Sequence, residues 1–344
     1  MKLLQFLSAA LMAVFPLLAT IEGQALATTR ALAYIDECMT AHQSCFELSL
    51  DILLLRPNAG KLEYANTPAI TEKTADFTKA PLIKPHFHPH VGFRERLTYS
   101  PSDQNYSFSA VWTHIKNKAR GKTVARPQEG FFPVWILAKD ALRSDFVTYA
   151  KEDWKGKTNI YDAVFAYRLY RCSWLTLTPW GGVRGACIDQ NIHIDYQGGL
   201  FPSFLNSKES DHIKMGSRFF GVGPLIGIDP EIFFCQNRSV SLFASVSSSI
   251  LFGKAHTRQK ESYFEHIRYQ KDKNVSQNGV VIDAMAGLKV TISCFSCATP
   301  SISIGWEFHE FFNQNRLSQN HFHLLSCHGN VKYSGGFLRG SLEF

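Results

Sequence analysis

Hydrophobic and polar residues alternate along most of this chain, and the alternation returns in blocks of roughly ten residues. In the first block Phe46, Leu48, Leu50, Ile52 and Leu54 share one face, opposite Glu47, Ser49 and Asp51. Tyr106, Phe108, Ala110 and Trp112 oppose Ser107, Ser109 and Thr113. The second half repeats the pattern more cleanly. Val240, Leu242, Ala244, Val246, Ile250 and Phe252 oppose a Ser-rich face, and Val280 to Ile292 oppose Asp283, Gly287, Lys289, Thr291 and Ser293. Ile302, Ile304, Trp306 and Phe308 oppose Ser301, Ser303, Glu307 and His309. A period of two turns successive side chains to opposite sides of a sheet, so each block is predicted as a strand.

A soluble β-sandwich would also alternate. Two features favour a membrane barrel. The polar faces carry Ser, Gly and Thr with few of the charges that a solvent face would hold. The chain also ends in an amphipathic strand, in which Phe344, Leu342, Gly340 and Leu338 oppose Glu343, Ser341 and Arg339. A terminal aromatic on such a strand resembles the assembly signal of outer-membrane barrels, read by the barrel-assembly machinery. The expected fold is therefore an all-β transmembrane antiparallel barrel. About twelve strand-like blocks are present, give or take two or more, and bacterial single-chain barrels take even numbers.

The start of the chain agrees. Lys2, the apolar run Leu3 to Leu18 and the small-x-small site Ala25-Leu26-Ala27 predict a secretory signal peptide over 1–27. The run is short for a membrane helix, and Pro16 interrupts it. No later segment approaches 18 consecutive apolar residues. Residues 28–45 are expected as an N-terminal periplasmic segment and 46–344 as the barrel. A long basic loop is expected at about 116–157, carrying Lys116, Lys118, Arg120, Lys122 and Arg126. Such a loop could meet lipopolysaccharide phosphates or anionic glycans. Further basic stretches, Lys254 to Lys260 and Lys271 to Lys273, separate later strands.

Composition sharpens this picture. Aromatics make up 13% of the chain, with 27 Phe, and charged residues only 19%. A lipid-facing surface with aromatic girdles shifts usage this way. Export places the eight cysteines, Cys38, Cys45, Cys172, Cys187, Cys235, Cys294, Cys297 and Cys327, in an oxidising setting. All are disulfide candidates, within the chain or between chains, and their connectivity does not follow from sequence. His86, His88 and His90 alternate as metal ligands on a strand would, but Pro85 and Pro89 favour a turn or strand edge. Cys294 and Cys297 with His321, His323, Cys327 and His328 are a second arrangement weighed for zinc. The expectation is no metal and no cofactor. No nucleophile elbow, Walker loop, dinucleotide fingerprint or HExxH sequence is present, so no enzyme is expected, nor a nucleic-acid partner.

Several stretches resemble the Legionella-type major outer-membrane protein family. They are FELSLDILLLRPNAGKLEYA from Phe46, HVGFRERLTYSPSDQNYSFSAVWTH from His90 and LTLTPWGGVRGACIDQ from Leu175. FFGVGPLIGIDPEIFF from Phe219, SLFASVSSSILFG, GWEFHEFFNQN from Gly305 and the closing GFLRGSLEF complete the set. They follow the family's order over nearly the whole mature chain. The resemblance implies a pore-forming barrel of the bacterial outer membrane with no catalytic residues to carry over. The cysteines and the long basic segment depart from the pattern and suggest a chlamydia-like member, whose disulfides would link envelope proteins.

With the apolar faces toward lipid, the lumen receives Glu47, Asp51, Asp162, Asp283, Glu307 and Glu343 against Arg94, Arg96, Arg168, Arg184, Lys289 and Arg339. These twelve are the pore-lining candidates. Their balance suggests weak ion selectivity, and the alternative is internal pairing that braces the barrel. Glu95 falls on the outward face, which requires an interfacial position or a different register there. The expected function is passive diffusion of small hydrophilic solutes and ions. The alternative is a cysteine-cross-linked structural protein or adhesin with exposed loops, and homo-oligomers are possible partners in either case, alongside membrane lipid and lipopolysaccharide.

Overall fold

The computed structural model describes residues 45–60, 62–66, 69–70, 81–101, 105–126, 129–131, 133–135, 147–171, 174–198, 210–234, 239–263, 266–292, 298–315 and 329–344. The signal peptide and nearly all of the N-terminal segment lie outside these residues. Ten long strands follow one another: β1 (Cys45–Ala59), β2 (His90–Ser100), β3 (Tyr106–Val124), β4 (Tyr149–Tyr167) and β5 (Leu175–Gln197). The second half contributes β6 (Ser210–Phe233), β7 (Val240–Tyr263), β8 (His266–Thr291), β9 (Thr299–Asn315) and β10 (Gly329–Glu343). Each pairs antiparallel with its neighbour in sequence. β1 also pairs with β10, Asp51 opposite Arg339, so the sheet closes on itself. Phe46 N–H donates to Phe344 O at 2.7 Å and Phe344 N–H returns the bond at 2.8 Å, so the last residue completes the seam. Closure leaves no free edge strand among the ten, which a structure surrounded by lipid requires.

Ten strands close the barrel, where the sequence pattern gave about twelve; the two-residue strand Tyr170–Arg171 adds only a short ladder on β5. The strands are longer than the blocks of alternation. β8 runs 26 residues, and the basic stretches expected to separate strands are continuations of β7 and β8. The basic loop expected at about 116–157 is corrected in the same way. Residues 116–124 belong to β3 and 149–157 to β4, leaving 125–148 as the connection. Lys116, Lys118, Arg120 and Lys122 are exposed on the outer face of β3, while Ile115, Asn117, Ala119 and Gly121 are buried on its inner face.

That inversion runs round the barrel. In the half nearer the termini, Leu48, Leu50, Ile52, Val91, Leu97, Phe165, Ile226 and Val246 face outward and exposed. Aromatics gather at its rim: Phe46 lies 4.9 Å from Tyr99, and Phe108 5.2 Å from Phe165. In the other half the exterior is charged, with Lys155, Lys157, Lys214, Arg218 and Arg258 exposed, and the interior holds the apolar core together with buried polar groups such as Asn117, Glu152, Gln190 and Gln277. An apolar exterior belongs in lipid and a charged one in water, so the change marks the membrane boundary. Glu95 keeps the predicted outward register, between Leu50 on β1 and Trp112 on β3. The connections sort likewise. Those at the end holding the termini are short (101–105, 168–174, 234–239 and 292–298), while the opposite end carries 60–89 and 125–148. Short turns belong on the periplasmic side.

This boundary is testable by substitution. Val246→Lys, in the lipid-facing belt, is expected to lower stability in liposomes by about 2–4 kcal/mol. Lys116→Leu, on the water-facing wall, is expected to change it by under about 0.5 kcal/mol. Urea unfolding followed by tryptophan fluorescence reads both, and equal effects would misplace the boundary.

Candidate functional site

Inside the membrane half, the strand pattern turns the polar face of each strand to the lumen. Two arginines organise that space. Arg94 of β2 donates through Nη1 to Asp51 Oδ2 at 3.0 Å, through Nη2 to Glu307 Oε2 at 2.8 Å, and through Nε to Thr113 Oγ1 at 3.1 Å. Arg184 of β5 holds Asp162 of β4 with a bidentate pair, both bonds 2.8 Å, and its Nη1 forms a close ion pair with Asp283 of β8. His309 of β9 joins the two halves: Nδ1 lies 2.7 Å from Asp283 Oδ1, and Nε2 3.1 Å from Glu307 Oε1. Ser247 of β7 adds a hydroxyl to Asp283 at 3.2 Å, and Arg339 of β10 grips Asp51 at 2.7 and 2.9 Å. Nine of the ten strands thus contribute a side chain to one network spanning the lumen. With His309 as imidazolium, its four cations (Arg94, Arg184, Arg339, His309) match its four anions (Asp51, Asp162, Asp283, Glu307). Buried ions need such pairing, because desolvation costs several kcal/mol per ion.

On the periplasmic side of the network lies a cavity of about 280 Å³, bordered by Glu47, Arg96, Ser109, Thr178, Asp229 and Lys289 among others. That is room for several waters. Trp180 lies flat over Gly227, where a Cβ would come within 2.3 Å of its ring, and donates Nε1–H to Asp229 Oδ1 at 2.7 Å. Glu231 accepts from Ser241 at 2.6 Å and sits 3.9 Å from Lys289.

Beyond the network the lumen is filled by an apolar cluster with buried amides and carboxyls among it. One residue pair further along each strand, Asp51 gives way to Leu53, Thr113 to Ile115, Asp283 to Val281 and His309 to Phe311, all fully buried. The connections complete this stopper by folding inward. Leu62, Tyr64, Phe131 and Trp135 are buried within it. Trp135 Nε1–H donates to Glu63 O at 2.6 Å, Tyr196 O–H to Tyr64 O at 2.5 Å, and Tyr64 O–H shares a proton with Thr123 Oγ1 at 2.7 Å. Glu152 is enclosed there, with neither carboxylate oxygen hydrogen-bonded. Burial, reinforced by Glu63 and Asp153, holds its carboxyl well above the ordinary carboxylate range.

The sequence-predicted lumen residues divide into three groups. Asp51, Arg94, Asp162, Arg184, Asp283, Glu307 and Arg339 join the network. Glu47, Arg96 and Lys289 border the cavity. Arg168, just beyond β4, and the exposed Glu343 lie at the periplasmic rim. Asp229 and Glu231 were missed as charged lumen groups, and His309, although parity placed it on the inward face with Glu307, was not counted among the pore-lining candidates. Of the cysteines, Cys45 and Cys187 fall within the described residues and both are free thiols. Cys38, Cys172, Cys235, Cys294, Cys297 and Cys327 lie outside them, as does the zinc arrangement with its histidines. His86 and His90 diverge: His86 stands opposite Arg120, and His90 Nε2 lies 3.0 Å from Lys118 O.

The family profile described as Legionella pneumophila major outer membrane protein precursor matches residues 39–344. The chain belongs to this family. Its place is the bacterial outer membrane, as the lipid-facing belt requires. No curated protein matches this outer membrane protein. Among solved structures it is similar to the outer membrane protease OmpT from Escherichia coli, at 10% identity and TM-score 0.43 over 87% of this chain and 96% of that one. It is also similar to a Pseudomonas aeruginosa FadL homologue, at 9% identity and TM-score 0.32 over 88% and 90%. A major outer membrane protein from Thermus thermophilus matches at 9% identity and TM-score 0.30 over 88% and 100%.

Two substitutions probe the interior. Arg184→Met leaves Asp162 and Asp283 without their cation and is expected to cost about 3–5 kcal/mol in urea unfolding. Glu152→Gln reports on the stopper. The unfolded chain releases this proton near the ordinary value of 4.5, whereas the folded one retains it, so Glu152 lowers stability as pH rises above that value. The variant is expected to be the more stable at about pH 8 and flatter in its pH dependence, with the two converging near about pH 4.

Proposed function

We propose that this major outer membrane protein is a channel for small hydrophilic solutes and ions with a closed resting lumen, rather than a wide diffusion pore. The observation that carries the reading is the polar, charge-lined cavity within the membrane half, stoppered on its outer side by the ionic network and the folded-in connections. A pore wall of Ser, Thr and opposed charges suits water and ions of either sign. Passage requires the stopper to yield, because the ladder fixes the wall. Trp135, anchored by its indole N–H to Glu63 O and by its backbone N–H to Tyr196 Oη at 3.4 Å, is the hinge point of that reading. The reading includes no catalysis. Outside the belt, Lys116, Lys118, Lys155 and Lys157 line one exposed groove, and their charge suits the phosphates of lipopolysaccharide.

A second reading, a closed structural barrel, is favoured by the apolar filling of the outer half. Planar-bilayer recording separates the two. The wild-type protein is expected to give small, infrequent conductance steps, and Trp135→Gly to raise open probability several-fold. Sealed membranes with both proteins, each verified as folded by its heat-dependent gel shift, would overturn the channel and leave the structural barrel.

A further inference from the structure

On the outer wall, clear of the lumen, β5 and β6 bring together a second group of functional side chains. His193 and Asp195 are two residues apart on β5 and so share its outward face. Asp195 stands directly opposite His212 on β6. Directly opposed side chains on one face have Cβ atoms roughly 5 Å apart, which allows the three to converge. Asp195 Oδ1 lies 2.6 Å from His212 Nδ1 and 2.9 Å from His193 Nε2. One ligand atom from each falls within 4.8 Å of the others, and this is the only such group of three among the described residues.

We propose that His193, Asp195 and His212 bind a divalent transition-metal ion of the zinc or copper type. Three further observations support this. His193 Nε2 is shielded from solvent and lies 2.9 Å from Asp195 Oδ1 without forming a hydrogen bond, so that nitrogen is left uncommitted beside the group. Ser210 Oγ lies 3.2 Å from His212 Nε2, so Ser210 can accept that ring's N–H and turn Nδ1 toward the centre. Metal-bound histidines are commonly oriented this way. The histidine side chains are 42% and 40% exposed, which leaves a coordination position open to water.

Donor chemistry selects the class of ion. Two imidazoles and one carboxylate suit zinc, copper or nickel, whereas calcium and magnesium take all-oxygen sets. Ligands about 2.1 Å from a tetrahedral ion stand roughly 3.4 Å apart. Small side-chain rotations open the present separations that far. The surroundings are basic, with Arg120 on Asp153 at 3.0 Å and Lys155, Arg258 and Lys260 along the same groove as His193, so Asp195 is the anion that offsets the ion's charge. Lys151 and Asp153 pair at 2.8 Å opposite Asp195 and His193, and Lys214 stands opposite His193 on β6.

Titration calorimetry of the full mature chain, folded in detergent, tests the site with Zn²⁺ and Cu²⁺. One equivalent is expected to bind, and His193→Ala/His212→Ala is expected to weaken that binding at least tenfold. His86→Ala/His88→Ala is expected to leave it unchanged. Ser210→Ala should weaken it by about 10- to 100-fold through loss of ring orientation. The Cu²⁺ electron paramagnetic resonance spectrum should show two coordinated nitrogens. Equal binding by the wild type and the folded double-histidine variant overturns the proposal. So does covalent labelling of Ser210 by a fluorophosphonate, which would assign the Ser210–His212–Asp195 chain to acyl transfer.

Discussion

The constraint on which the structure depends is that no backbone hydrogen-bonding group can face lipid unpaired. A sheet meets it only by closing, and here closure rests on one seam. β1 and β10 pair from Glu47 opposite Glu343 to Ala59 opposite Val331, and the reciprocal bonds of Phe46 and Phe344 seal its end. The seam joins residues nearly three hundred positions apart, so the barrel forms only once the whole chain is present. Its last strand is therefore the closing element of the wall.

Once the wall is fixed, polarity determines everything inside and outside it. In lipid the outward face must be apolar, which sends Ser, Thr and the charges inward. Above the lipid the outward face meets water, and the same alternation sends the apolar residues inward. The two regimes meet in the lumen at Asp51, Thr113, Asp162, Arg184, Asp283 and His309. Charges at that level are shielded from solvent by the apolar stopper above, so pairing is their remaining means of stabilisation. The network is thus a consequence of the inversion as well as a brace for the wall. Breaking a buried pair costs more than its net contribution when formed, because an ion is left desolvated.

Much of this was legible in the sequence. A strict period of two assigned faces correctly from Phe46 to Leu54 and from Val280 to Ile292. It placed Arg94, Asp162, Arg184 and Asp283 inside before any contact was known. Glu95 was placed outward by the same rule, against its charge, and remains there. The strand ends were not legible, because the rule for an apolar exterior fails where the wall leaves the membrane. Lys116 to Lys122 then read as a loop, although Ile115, Ala119 and Gly121 preserve the alternation with its polarity reversed. His193, Asp195 and His212 were invisible for a different reason. Their meeting depends on the β5–β6 register, and residues 199–209 separate the strands in sequence without revealing it.

The parts of the barrel differ in how freely they can move. In the membrane half each strand is laddered to a neighbour on both sides, and opening the ladder in lipid would expose unpaired backbone groups at several kcal/mol each. The side chains of the network can exchange partners without that cost, since Asp283 and Asp51 each already serve two cations. The folded-in connections are held more lightly still. Tyr64 and Trp135 are retained by apolar contact and a few hydrogen bonds to backbone carbonyls and hydroxyls, and water outside the membrane can replace those bonds. On the proposed channel reading, a path through this barrel therefore opens from the outer end inward, stopper first and ion pairs second, while the wall remains unchanged.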